Sequence, residues 1–243
     1  MRILGVLPVV LLLLLEACSQ SAGRDAYNRG VAAFGKKDYD QSIKEYSEAI
    51  RLDPKYVEAF YSRGLAYEHT GAQENALDDY SEAIRLNPKY ARAFVSRAML
   101  YLDKHDYDRA LADYSEAILL DPKDHGLFGL RSEVYYRQHD YNHCLQDLTE
   151  AIRLAPDDTD PLLLREEIYR ERGDFDHAIE DASRVIHLDP KSANGFLVRA
   201  HAYEGKHQFQ RALPDLNKAI ELDPSLGPKY REELKELKQE VSR

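Results

Sequence analysis

Six prolines recur at a constant spacing of 34 residues, and this spacing constrains the fold more than any other feature of the 243-residue chain. They are Pro54, Pro88, Pro122, Pro156, Pro190 and Pro224. A fixed period of this length indicates stacked structural repeats and not one globular core. With each proline numbered as position 32 of a unit, the chain divides into six repeats: 23–56, 57–90, 91–124, 125–158, 159–192 and 193–226.

The apolar residues of each repeat predict two helices joined by a short turn, because they follow helical spacing in two runs of about a dozen residues. Gly71 and Gly173 occupy position 15, where a residue with left-handed backbone would end the first helix. His105, His139 and His207 take the same position, and histidine tolerates this backbone better than most residues. The proline at position 32 then ends the second helix.

In this register the repeats resemble the tetratricopeptide repeat (TPR) family over residues 23–226. The segments FYSRGLAYEHTGAQENALDDYSEAIRLNP and FVSRAMLYLDKHDYDRALADYSEAILLDP show the shared pattern, with small residues at positions 8, 20 and 27 and tyrosine at position 11. The resemblance implies an all-α fold: a right-handed superhelix, or α-solenoid, of six helix-turn-helix repeats. The first helix of each repeat would line a concave groove.

A capping helix is predicted for residues 227–243, which follow the last repeat. Tyr230, Leu234, Leu237 and Val241 would share one apolar face of this helix and cover the end of repeat six.

Every repeat carries an arginine at position 7 and an acidic residue at position 23. The arginines are Arg29, Arg63, Arg97, Arg131, Arg165 and Arg199; the acids are Glu45, Asp79, Asp113, Asp147, Asp181 and Asp215. One interpretation is an arginine track that grips an acidic ligand. We favour a structural ladder of ion pairs between helices, because each arginine is matched by an acid and its planar fork suits a partly buried carboxylate.

Two departures from the pattern lie in the last two repeats. Repeat five has Glu166 at the small-residue position 8 and Ala182 at position 24, where other repeats have tyrosine or leucine. One interpretation is that the large residue at position 8 has moved into space left open by the small residue at position 24. The other is that the stack of repeats opens locally here, or has a defect at which a ligand binds. Pro214 falls inside the second helix of repeat six and should kink that helix or delay its start.

Residues 1–17 have the features of a signal peptide. Arg2 precedes an apolar run at 3–15 that is shorter than the ~20 residues needed to span a bilayer. Leu15-Glu16-Ala17-Cys18 resembles a bacterial lipobox, although Glu16 departs from the usual small or apolar residue.

That resemblance implies lipid attachment at Cys18, with 18–22 as a lipidated linker, and an anchor in the cell envelope. Ser19 in place of aspartate favours the outer membrane, facing the periplasm. The alternative is an ordinary secreted protein with an incidental cysteine.

Composition argues against several functional classes. The formal net charge is −10 and the charges are interspersed, so nucleic acid is not an expected partner. No phosphate-binding, dinucleotide or hydrolase motif is present, so we expect neither a cofactor nor a metal, and no enzyme. The rival hypothesis is an enzyme with a carboxylate site in the 133–171 region of the groove. Cys144 takes a small-residue core position, which packing explains.

In TPR modules, positions 2, 5, 9, 12 and 13 line the groove, and in this chain those positions change character. The apolar ones, which we predict to bind a partner, are Tyr27, Val31, Phe34, Tyr61, Leu65, Val95, Met99, Leu102 and Tyr136. The later repeats offer Glu133, Arg137, Glu167, Arg170, Glu171 and Glu204. A helix or extended segment with apolar anchors would fit the first set. Alternatively, the linker or a second copy of the chain, in a homodimer, covers this surface.

The sequence as a whole looks similar to NlpI-like adaptor lipoproteins, which bring cell-wall hydrolases and a protease together. The six-repeat lipoprotein layout is also shared with the pilotins of type IV pilus assembly. Both resemblances imply a membrane-anchored scaffold that binds protein or peptide partners and has no catalysis of its own. A self-associating structural envelope protein is the other alternative.

Overall fold

A computed structural model describes the backbone of residues 6–242 and the side chains of residues 21–242. Every regular element in this part of the chain is an α-helix, which confirms the all-α prediction of consecutive helix-turn-helix pairs. The chain divides after Asp121 into two compact units, 1–121 and 122–243, each with three helix pairs.

The first unit contains six helices: α1 Val6–Gly35, α2 Tyr39–Leu52, α3 Val57–His69, α4 Gln73–Leu86, α5 Ala91–Asp103 and α6 Tyr107–Leu120. The second contains eight: α7 His125–Arg137, α8 Tyr141–Leu154, α9 Asp160–Glu171, α10 Phe175–Leu188, α11 Ala193–Gly205, α12 Phe209–Leu222, α13 Leu226–Lys229 and α14 Arg231–Ser242. The second helix of each repeat begins at position 17 and ends at position 30.

Helix α1 continues the first repeat toward the N-terminus, since it begins at Val6. The segment 18–22, predicted as a linker, is therefore helical. The side chain of Cys18 and residues 1–5 of the predicted signal peptide lie outside the described residues. Of the helices that the structure describes, none combines the length and apolar character that crossing a bilayer requires.

The turn between paired helices has left-handed backbone at position 15 in all six repeats. The φ angles are +61° at Lys37, +77° at Gly71, +58° at His105, +58° at His139, +75° at Gly173 and +57° at His207. The prediction for the two glycines and three histidines is confirmed, while Lys37 was not foreseen because lysine has no preference for this backbone. Aspartate follows in four repeats and caps the next helix, as Asp38 does by accepting from the Gln41 N–H.

Close helix approach explains the small residues at position 8. A Cβ atom added at Gly30 would lie 2.6 Å from the ring of Tyr46, and one added at Gly64 would lie 2.6 Å from the ring of Tyr80. These tyrosines at position 24 are only 2% and 0% exposed. The core of a repeat is therefore a large position-24 side chain held against a small position-8 residue.

The C-terminal cap differs from the single helix predicted for 227–243. It is divided at Tyr230, which has φ −104° and ψ 18°, into the four-residue α13 and the twelve-residue α14. Leu237 is 2% exposed and packs with Leu216 and Ala219 of repeat six, with Tyr230 and Leu234 beside them.

Pro214 does not delay the start of α12, which begins at Phe209 as in the other repeats. Its ring removes one helical N–H, but the buried face formed by Ala212, Leu216 and Ala219 holds the helix against its neighbours.

Candidate partner-binding surfaces

The structure brings together each arginine at position 7 with the acid at position 23 of its own repeat. The shortest N···O distances are 2.8 Å for Arg29–Glu45, 2.7 Å for Arg63–Asp79, 2.7 Å for Arg97–Asp113, 2.7 Å for Arg131–Asp147, 2.7 Å for Arg165–Asp181 and 2.6 Å for Arg199–Asp215. From the second repeat onward, Nε and Nη2 donate to the two carboxylate oxygens as a fork.

A further hydrogen bond joins these arginines to the preceding repeat. Arginine Nη1 donates to a hydroxyl at position 25 of that repeat: Arg63 to Ser47 at 2.9 Å, Arg97 to Ser81 at 2.9 Å, Arg165 to Thr149 at 3.1 Å and Arg199 to Ser183 at 3.3 Å. Sequence reasoning missed these hydroxyls, although the recurrence of serine or threonine at position 25 was the available signal.

The four arginines with these hydroxyl partners are therefore hydrogen-bonded within the protein itself, as the structural ladder requires. Each guanidinium of this group of four donates in three directions to groups of the protein itself. The hydrogen bonds to Asp113 raise the pKa of Arg97, as expected for a charge held by its partner. A ligand would have to displace these bonds before it could bind.

The predicted groove tyrosines of the first unit pack mainly against their own repeat. The Tyr27 ring lies 5.5 Å from Tyr46 and 5.0 Å from Tyr56, and the Tyr61 ring lies 5.7 Å from Tyr80 and 5.3 Å from Tyr90. The Tyr27 hydroxyl is 3.3 Å from Ser62 Oγ in the next repeat. These side chains are half-buried. Only part of each ring is therefore available for contact with a partner.

The other predicted groove residues divide by exposure. Val31 and Met99, both at position 9, are 46% and 48% exposed. Phe34, Leu65 and Val95 are half-buried. Leu102 is a correction: it is 8% exposed, because its side chain turns into the core of the first unit and offers no groove surface. Among the predicted apolar positions of the first unit, Val31 and Met99 are thus the most exposed, and Tyr27, Phe34, Tyr61, Leu65 and Val95 are half-buried; we call these seven residues the apolar surface.

The predicted charged positions of the second unit pair with one another. Arg137 Nε donates to Glu133 Oε1 at 2.8 Å, and the Tyr136 hydroxyl donates to Glu167 Oε1 at 3.4 Å. Burial, together with nearby Glu167 and Glu171, raises the pKa of Tyr136 to about 12. Tyr136 is therefore a hydrogen-bonded member of this charged surface and does not extend the apolar one.

Glu166 is the most unusual side chain of the second unit. It is 0% exposed, and neither carboxylate oxygen has a hydrogen-bond partner; the nearest cation, Arg170 Nε, is 3.4 Å from Oε1. Ala182, also 0% exposed, leaves the space that a tyrosine or leucine fills in other repeats. Full burial of both residues is consistent with the exchange of large and small residues suggested by the sequence. Burial raises the pKa of Glu166 to about 7.

A second perturbed carboxyl lies in α11. Burial and the proximity of Glu233 raise the pKa of Glu204 to about 7. His201 Nε2 is 3.2 Å from Glu233 Oε1, so α14 brings its acidic side chains to α11. Two carboxyls with raised pKa values would suit proton transfer, but Glu166 is sealed from solvent and cannot reach a substrate in this arrangement.

The histidines and the buried cysteine have local structural roles. His139 lies in the left-handed turn, and His143 Nδ1 is 2.7 Å from Asp140 Oδ2 at the start of α8. Among the described residues, no cluster of histidine, cysteine, aspartate and glutamate could hold a metal ion. Cys144 is a buried free thiol, and burial raises its pKa to about 12, which suits a packing role.

Family models match most of the repeat region. One described as TPR repeat matches residues 30–71; models described as Tetratricopeptide repeat match residues 57–90, 91–124 and 163–227. The chain belongs to the tetratricopeptide repeat family. No curated protein matches it.

Several solved TPR structures share the fold at low sequence identity. The C-terminal part of a TPR repeat-containing protein from Cytophaga hutchinsonii has a TM-score of 0.75 at 19% identity, covering 87% of this chain and 84% of that one. The pilF protein of Pseudomonas aeruginosa has a TM-score of 0.68 at 15% identity, covering 91% and 99%. YrrB, described as a TPR protein with an unusual peptide-binding site, has a TM-score of 0.63 at 23% identity, covering 74% and 92%. At these identities the likeness concerns the fold.

Proposed function

We propose that this TPR protein is a scaffold whose first unit binds a protein segment through apolar side chains. One observation carries the proposal: of three large hydrophobic residues exposed among the described side chains, two, Val31 and Met99, share position 9 of first helices in this unit. An exposed apolar patch bordered by polar residues usually marks a protein-binding surface. The peptide-binding site attributed to YrrB supports this use of the fold.

The ligand that fits this surface is a helix or an extended segment with apolar anchors. The half-buried tyrosines Tyr27 and Tyr61 add rigid edges, and large rigid side chains contribute contact area at little cost in entropy. The acidic chain, with its formal net charge of −10, favours a partner that is neutral or basic around those anchors.

The test is a pull-down with crosslinking in the native cell, comparing wild type with a Val31→Ser/Met99→Ser double variant. Leu119→Ser is the matched control, because Leu119 is 74% exposed but lies on α6, a second helix. We expect the double variant to lose its partners and the control to keep them, with equal helicity for all three proteins. If both variants recover the same partners as wild type, the surface assignment is wrong.

Light scattering in solution identifies the competing occupant. A dimer that dissociates in the double variant would show that a second copy of the chain covers this surface, and would overturn the proposal of a separate partner.

We further propose that the scaffold is anchored in a bacterial cell envelope by lipid attached to Cys18. Support comes from the sequence pattern of the leader, with leucine at 15, alanine at 17 and cysteine at 18. Two or more acyl chains are sufficient for stable membrane attachment. Envelope partners would then include cell-wall hydrolases or a protease.

Mass spectrometry of the membrane-extracted protein tests the anchor. Wild type should begin at residue 18 with added acyl mass, and Cys18→Ser should lack the acyl mass and leave the membrane fraction. An unmodified wild-type protein in the soluble fraction would contradict the proposal.

A further inference from the structure

A small cavity of about 250 Å³ opens in the second unit beside repeat four. Its lining includes the two glycines Gly126 and Gly129 and the apolar residues Leu148, Pro161 and Leu164. A Cβ atom added at Gly129 would meet no atom within 4 Å. The cavity exists because the first helix of this repeat lacks side chains at positions 2 and 5.

Repeats one and two show that a tyrosine ring can fill the equivalent space. Position 5 of repeats one and two is tyrosine, and those rings pack against positions 24 and 34 of their own repeat. The Tyr61 hydroxyl also accepts from Ser96 Oγ at 3.4 Å, at position 6 of the next repeat. In repeat four the residues at those three places are Leu148, Asp158 and Leu164, and all three line the cavity.

We propose that this cavity, here named the repeat-four pocket, binds the aromatic ring of a tyrosine side chain from a bound protein segment. The ring would take the place that Tyr27 and Tyr61 occupy in their own repeats. A volume of about 250 Å³ is smaller than the roughly 300–1,000 Å³ typical of pockets for whole small molecules. Apolar cavities of this kind accept small aromatic molecules in other proteins.

Two aspartates that line the pocket indicate which charge a ligand should carry beside its aromatic ring. Asp158 and Asp160 both line the pocket, and Asp160 is exposed. Asp158 Oδ1 accepts from the Asp160 N–H at 3.1 Å, while His125 Nε2 lies 3.7 Å from Asp158 Oδ2. With two carboxylates at the entrance, the pocket favours a tyrosine that has a cationic group beside it.

This inference rests on the proposed function only for the source of the ring, a bound protein segment. The pocket can be measured without any partner, by following backbone amide signals in NMR spectra during titration with three phenols. The probes are tyramine, 4-methylphenol and 4-hydroxyphenylpropionate, which share the ring and differ in charge.

We expect all three probes to shift the amide signals of Gly126 and Gly129. Tyramine should bind roughly tenfold more tightly than 4-hydroxyphenylpropionate, with 4-methylphenol between them, because of the charges at the mouth. Raising the salt concentration to 0.5 M should reduce the difference between the charged probes.

Filling the pocket from within provides the matched pair of variants. Gly129→Leu introduces the residue found at position 5 of repeats five and six, whereas Gly129→Ala gives the same helical backbone but leaves most of the cavity open. We expect Gly129→Leu to lose probe binding and Gly129→Ala to retain it. Thermal unfolding of both variants checks that they are folded.

The outcomes separate the pocket from the proposed function. Absence of shifts with all three probes, or equal binding to both variants, overturns the pocket whatever happens at Val31 and Met99. If the probes bind but Gly129→Leu still recovers every partner in the pull-down, recognition of a partner tyrosine is overturned. Loss of partners in Gly129→Leu but not in Gly129→Ala supports it.

Discussion

Glu166 shows how one residue can depart from a repeat pattern without breaking the repeat. Its carboxyl group occupies space that a position-24 side chain fills elsewhere, and Ala182 provides the room. The groups that act on its charge are Arg170 and His201, which favour the carboxylate, and Glu167 and Asp181, which oppose it. Burial outweighs them all, so the folded protein favours the protonated acid.

This preference makes stability depend on pH in a defined direction. The pKa of Glu166 is about 7 in the folded chain, against an ordinary value of 4.5 for a glutamate in water. Between these values the folded state holds a proton that the unfolded state has released, so stability falls as pH rises from about 4.5 to 7 and then levels off. A shift of this size corresponds to roughly 3 kcal/mol at most.

Urea unfolding at pH 4.5 and pH 8 measures this effect. Glu166→Gln should match wild type at the lower pH and exceed its stability at the higher one. Glu150→Gln is the control, because Glu150 is only partly buried and pairs with the exposed Arg153 at the surface; it should leave the pH dependence of stability nearly unchanged. An unchanged pH slope in Glu166→Gln would contradict the raised pKa.

Sequence reasoning at this scale succeeded where a residue type has one dominant backbone preference. Two glycines at position 15 predicted the left-handed turn, and the histidines aligned with them. It failed for Leu102, because groove and core positions adjoin on one helix and differ by only a small rotation. The state of Glu166 needed coordinates, since the space beside it is set by a residue in another helix.

At the scale of helices, the ion pairs join the two helices of a repeat, and the hydroxyl bonds join that repeat to the one before it. Arg97 is 19% exposed and Asp113 is 7% exposed, so water screens the pair only partly. The Cζ atom of Arg97 also lies 5.9 Å from the ring centres of both Phe94 and Tyr101. Removal of this arginine leaves a carboxylate in a site with little solvent.

We therefore expect Arg97→Met to lower the free energy of unfolding by up to about 3–5 kcal/mol, because Asp113 keeps its buried charge without a partner. The comparison is Arg51→Met, which removes an exposed pair with Glu48 whose side chains are 68% and 40% exposed. That loss should be much smaller, because water screens an exposed ion pair. Equal losses in urea unfolding would show that the position-7 arginines are not structurally special.

The sequence specified the position-7 and position-23 partners because both recur with the period of the repeat. The division of the C-terminal cap into α13 and α14 was harder to predict from the sequence. Its apolar face predicted contact with repeat six, and Leu237 makes that contact, but the backbone change at Tyr230 that ends α13 has no signal in the apolar pattern, since Tyr230 itself belongs to that pattern.

At the scale of the whole molecule, a repeat protein is stabilised by contacts between neighbouring repeats. A destabilising substitution in the last repeat should therefore have a local effect. Leu237 covers the last repeat within the second unit. Leu237→Ala removes a side chain that is 2% exposed and should cost about 2–5 kcal/mol locally.

Hydrogen exchange with mass spectrometry can locate the effect. Peptides from repeat six and α14 should exchange faster in Leu237→Ala, while peptides from repeats one to three keep their protection. Val241→Ala, at the half-exposed end of the same helix, is the milder control. Uniformly faster exchange along the chain would instead indicate a single cooperative unit.

The hydroxyl bonds of Arg63, Arg97, Arg165 and Arg199 have a direction along the chain, since each of these four arginines donates to the repeat that precedes it. Removal of a following repeat frees a serine or threonine hydroxyl, which water can hydrate at little cost. Removal of a preceding repeat strips an acceptor from a mostly buried cation. Gain and loss of repeats during evolution should therefore be tolerated better after an existing repeat than before it. Arg29 of repeat one is 57% exposed. In a leading repeat, water can therefore take the place of the hydroxyl that a preceding repeat supplies to those four arginines.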